Sequence, residues 1–143
     1  MSKSPNKTKM TLRDDRFITI DLDIDRSLFV TRWKLESADI TDENIIKDII
    51  SDISCKIEQF RPLYYIANQT CKEVVYTVDI QKWIAERLYA ACSKACTKYV
   101  ATVESSNISV SMSNDQMIEE VEVKGIKIKT FSTEAEALKW MGV

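Results

Sequence analysis

From Phe17 onward, apolar and polar residues alternate: Ile18, Ile20, Leu22 and Ile24 share one parity, and Phe17, Thr19, Asp21 and Asp23 share the other. A period of two is the signature of a strand with one face buried. Asp25-Arg26-Ser27 turns the chain, and Leu28 to Leu35 carries a second run with Phe29, Val30 and Trp33, so the two segments are expected to pair as a hairpin. The period then changes. Ile45, Ile49, Ile53 and Ile57 recur at four-residue spacing, with Ile46, Ile50 and Phe60 widening the stripe, which predicts a helix over 42–60 with one face on the sheet. Asp39-Ile40-Thr41-Asp42-Glu43 supplies a capping hydroxyl or carboxylate and acids for its first turn, and Pro62 marks its end.

Leu63-Tyr64-Tyr65-Ile66-Ala67 has the length and character of a central strand, and Asn68 to Val75 follows as a loop carrying Cys71, Lys72 and Glu73. Thr77 can cap the next helix, with Asp79 in its first turn and Ile80, Ile84, Leu88, Ala91 and Ala95 on its buried face; Trp83 lies at the edge of that face. Tyr99 to Val103 reads as the fourth strand. The alternation of Ile108, Val110 and Met112 with serines suits a strand over 105–111, with a turn or short helix left open. Ser113 and Gln116 have capping-box spacing, which predicts a helix over 114–123. Gly125 ends it, Ile126, Ile128 and Thr130 alternate through a last strand, and Thr133 with Glu136 caps a final helix through Trp140. Two strands followed by alternating helices and strands predict one α/β domain over 14–143, with a mixed sheet that begins in a β-hairpin. Residues 1–13, with Lys3, Lys7, Lys9 and Arg13 and no acid, read as a disordered, solvated tail.

At 143 residues, one domain can bury its core without a disulfide or structural metal. A formal net charge of −2 provides no global field toward nucleic acid or an anionic membrane. No apolar run approaches the roughly 20 residues of a membrane span, and the first residues lack the apolar stretch of a secretory signal, so the expectation is a soluble, cytoplasmic protein. Cysteines at 55, 71, 92 and 96 are then expected as free thiols.

Several chemistries fall away. There is no histidine to act as a base near neutral pH. Gly125 and Gly142 are too far apart to form a phosphate cradle. Cys92 and Cys96 are one helical turn apart on the apolar side, which favours core packing over a metal site; Cys55 falls on a polar side. Cys71, beside Lys72, is the best candidate for a reactive thiol. Asp21, Asp23 and Asp25 have the parity of a solvated sheet face. Trp33, Trp83 and Trp140, with Tyr64, Tyr65 and Tyr76, are core aromatics or the lining of an apolar pocket.

The element order, the closing phrase Lys129-Thr130-Phe131, Glu134, Ala137-Leu138-Lys139-Trp140, and the helix opening Thr77-Val78-Asp79-Ile80-Gln81-Lys82-Trp83 resemble the small stand-alone bacterial proteins of the STAS class. Within it the chain is similar, from about Phe17 to its end, to anti-sigma-factor antagonists and to STAS/SEC14-like proteins of uncharacterised function. The resemblance implies a STAS-like fold and a non-enzymatic regulatory or binding module without cofactor or metal. In the antagonist branch, the loop into the second main helix carries an Asp-Ser-Ser/Thr-Gly-Leu-Gly type motif whose hydroxyl is phosphorylated. Here Val75 to Ile80 has no glycine and no paired hydroxyls; Thr77 is the one hydroxyl that fits, as a helix cap first and a phosphoacceptor by resemblance. A protein partner or small ligand is expected at the 68–83 loop and helix, on Asn68, Cys71, Tyr76, Thr77, Asp79 and Trp83, with no nucleic acid and with a homodimer left open. The alternatives are a carrier of an apolar small molecule or lipid, and a thiol-dependent enzyme.

Overall fold

The computed structural model describes residues 8–74, 77–104 and 125–143. Among them, six strands form one sheet in chain order: β1 (Lys9–Asp14), β2 (Ile18–Asp23), β3 (Leu28–Trp33), β4 (Tyr64–Asn68), β5 (Tyr99–Val103) and β6 (Lys127–Phe131). β1, β2 and β3 are antiparallel, and β3 to β6 are parallel. The parallel half is joined through α1 (Glu43–Phe60) and α2 (Val78–Lys94), and α3 (Glu134–Met141) follows β6. The α/β class, the mixed sheet and the β2–β3 hairpin agree with the sequence pattern. The expected helix over 114–123 and the segment 105–111 lie outside the described residues.

Three expectations are corrected. Residues 9–13, read as part of a solvated tail, belong to β1, which pairs Lys9 with Asp23 and Thr11 with Asp21 before a bulge between Thr11 and Arg13. Only its Leu12 packs against the core, so its apolar signal is weak. The second hairpin strand stops at Trp33, and a 3₁₀ turn follows at Leu35–Asp39. A long-range bond holds that turn, since the buried Ser37 hydroxyl accepts from the Glu73 amide at 2.9 Å. Ile45 is 37% exposed, because the buried stripe of α1 runs through Ile46, Ile49, Ile50, Ile53 and Ile57.

The caps explain where the helices begin. The Asp42 carboxylate accepts from the Asn44 amide at 2.9 Å, the Thr77 hydroxyl from Ile80 at 3.3 Å, and the Thr133 hydroxyl from Glu136 at 3.2 Å. α1 ends where Arg61 turns left-handed (φ 51°) ahead of Pro62.

The register sorts side chains onto two faces. Ile18, Ile20, Leu22, Phe29, Trp33, Tyr65, Ala67 and Val100 point toward α1 and α2 and form the larger core. Leu28, Val30, Ile66, Ala101 and Val103 point the other way and pack on Ala137 and Met141 of α3. A helix is about 10 Å across and strands lie about 4.8 Å apart, so α3 covers about two strand spacings. It contacts β4, β5 and β6, meets β3 through Arg32 and Glu134, and leaves the second face of β1 and β2 without a helix among the described residues.

Candidate functional site

The uncovered part of the second face forms a half-open cleft of about 540 Å³ between β1–β3 and the flank of α3. Its apolar lining comes from Met10, Leu22, Leu28, Val30, Ile66 and Leu138, with Leu28, Val30 and Ile66 buried at its floor, and its charged groups are Lys9, Asp21, Asp23, Arg26, Arg32 and Glu134. Alternation builds this arrangement. Val30 and Arg32 share the parity opposite to Phe29 and Trp33, and their partners Asp21, Thr19, Ile66 and Asn68 share the same face.

Arg32 is the hub. It donates through Nε and Nη2 to the two oxygens of Glu134, at 2.8 and 2.9 Å, and through Nη1 to Asp21 at 2.8 Å. Glu134 also accepts from Asn68 Nδ2 at 2.5 Å, and Asp21 from the Thr11 hydroxyl at 3.0 Å. The hydrogen bonds from Arg32, opposed by partial burial, hold the Glu134 carboxyl below its usual range, and the bond to Glu134 raises the guanidinium. Since Glu134 opens α3, its carboxylate also lies at the favourable end of the helix dipole.

The six residues expected to form one docking site are divided. Asn68 ends β4 and joins the Arg32–Glu134 network, with its Oδ1 accepting from the Thr70 amide at 2.9 Å. Trp83 is half-buried in the α1–α2 layer, with Lys47 Nζ 5.6 Å from its ring centroid. That layer covers the opposite face of the sheet from Asn68. Thr77 and Asp79 are exposed at the start of α2, Cys71 is half-buried in the loop after β4, and Tyr76 lies outside the described residues.

Lys72, beside Cys71, is only 1% exposed and lies 5.0 Å from the Trp33 ring centroid; burial pushes its ammonium well below the ordinary lysine value. Cys92 is buried and its thiol is pushed up to about 12 by desolvation, whereas Cys96, expected on the same apolar side, is exposed at a left-handed position (φ 61°) beyond α2. Among the described residues no cluster of three or more metal-ligating side chains occurs. No described helix is long and apolar enough to cross a membrane.

Sequence reasoning missed Arg32, Glu134 and the cleft. A signal was present: Leu28 to Trp33 is apolar at both parities except at Thr31 and Arg32, which marks a strand buried on both faces with a charge directed into one of them. Comparisons with protein-family models, with curated proteins and with solved structures find no match.

Proposed function

We propose that this chain is a non-enzymatic binding module whose small-molecule ligand lies in the cleft between β1–β3 and α3. The observation that carries the reading is the combination of an apolar floor, Val30 and Ile66, with a charged network fixed by Arg32. A volume near 540 Å³ falls within the range of ligand pockets, about 300–1,000 Å³, and a few oriented polar groups over apolar lining are how such pockets combine affinity with selectivity. The reading keeps the binding-module class implied by the STAS-like resemblance, which rests on element order and packing residues. It moves the ligand from the 68–83 segment to the opposite face and keeps Asn68 as a contributor. Native mass spectrometry of protein purified without detergent is the test. A bound small mass that disappears in Leu138→Trp, where the larger ring fills the cleft, supports the reading; the same mass retained in that variant rejects it.

A second reading, docking of a regulatory protein at the start of α2, is favoured by Val78, which is 62% exposed beside the solvent-exposed cap residue Thr77. Phosphate on Thr77 would meet the unpaired amides of that helix end. For this reading Val78→Asp abolishes partner capture while Leu138→Trp leaves it intact, and the reverse pattern rejects it.

A further inference from the structure

We infer that the cleft takes a short apolar peptide with free termini, its amino group at the Asp21–Glu134 pair and its carboxylate at Lys9. The inference deepens the cleft reading and rests on it.

The charges around the cleft do not cancel locally. Asp21 and Glu134 share the single guanidinium of Arg32, which leaves one surplus negative charge where the two carboxylates flank it. Asp23 and Arg26 balance one another at 3.5 Å. Lys9 has no carboxylate within salt-bridge distance among the described residues, and this leaves one surplus positive charge at the β1 rim. A monoanion would satisfy only the second of these, and a monocation only the first. A zwitterion satisfies both, and the floor of Val30, Ile66 and Leu138 between them favours apolar side chains.

The register sets the length. Thr11 is opposite Asp21 in the β1–β2 pairing, and Lys9 stands two residues further along β1. With about 3.4 Å of rise per residue and about 4.8 Å between strands, the backbones carrying the two charges are about 8 Å apart. The termini of a free amino acid are much closer than that. A dipeptide or tripeptide, at roughly 3.3–3.6 Å per extended residue, spans about 7–11 Å and fits. Among the described residues β1 is the edge strand, which leaves room for the carboxyl end to reach Lys9 from solvent.

Calorimetric titration with leucyl-leucine, its N-acetyl form and its C-terminal amide tests this. The free dipeptide should bind about fivefold tighter than either capped form, the size expected for one partly exposed ion pair. Lys9→Gln should erase the penalty of the amide and keep that of the acetyl group, and Asp21→Asn should do the opposite. Equal binding of free and capped peptides overturns the charge assignment while leaving the cleft reading intact. Absence of binding by all three overturns the peptide inference, and the bound mass and its response to Leu138→Trp then decide the cleft reading separately.

Discussion

Arg32 ties the two ends of the described chain together, because the carboxylate it grips opens the last helix. In Glu134→Gln that grip weakens. The folded-state pKa of Glu134 is depressed, so the unfolded chain binds more protons as pH falls, and the stabilisation is present above the unfolded value, about 4.3, and lost as pH falls through the folded one. The guanidinium side chain is 42% exposed, so solvent screening limits the effect to about 1 kcal/mol. Urea unfolding should show that deficit at pH 7 and almost none at pH 2; a deficit independent of pH contradicts the assignment. Lys72 adds a dependence of the same sign in a higher pH window. Burial lowers its folded-state pKa, the unfolded chain keeps the proton to about pH 10.4, and wild-type stability relative to Lys72→Met should therefore rise between pH 7 and pH 10. A constant difference between the two proteins over that range would show that the folded amine keeps its proton. Neither residue stood out in the sequence, since burial of Lys72 and pairing of Arg32 depend on neighbours 39 and 102 positions away.

Elements with strong periodicity were legible, and those made by distant contacts were not. α1 and α2 follow from their isoleucine stripes and from Asp42 and Thr77, whose caps form locally. β1 was lost because a half-exposed edge strand with four polar or charged residues among six has the composition of a tail; its pairing with β2 defines it. The 3₁₀ turn depends on the Ser37–Glu73 bond, and nothing near it in sequence specifies that bond. Hydrogen exchange separates strand from tail. Amides of β1 that bond to β2 should exchange at least about tenfold slower than random coil, and coil rates throughout 9–14 would remove the strand and the Lys9 rim of the cleft with it.

At the scale of the whole molecule, the asymmetry of the two sheet faces produces the cleft. Two long helices cover one face, whereas α3, eight residues and about 12 Å long, covers part of the other. Alternation in the strands revealed that two faces exist, but the extent of cover depends on where α3 comes to rest, which the capping pattern at Thr133 does not encode. The central claim is that the cleft left beside α3 on that second face is the binding site. Methyl NMR of the folded protein, titrated with a library of small amphiphilic molecules, tests it most directly. The account predicts shifts concentrated at Leu28, Val30, Ile66 and Leu138; shifts confined to Val78, Ile80 and Ile84 at the start of α2, with the cleft methyls silent, would contradict it.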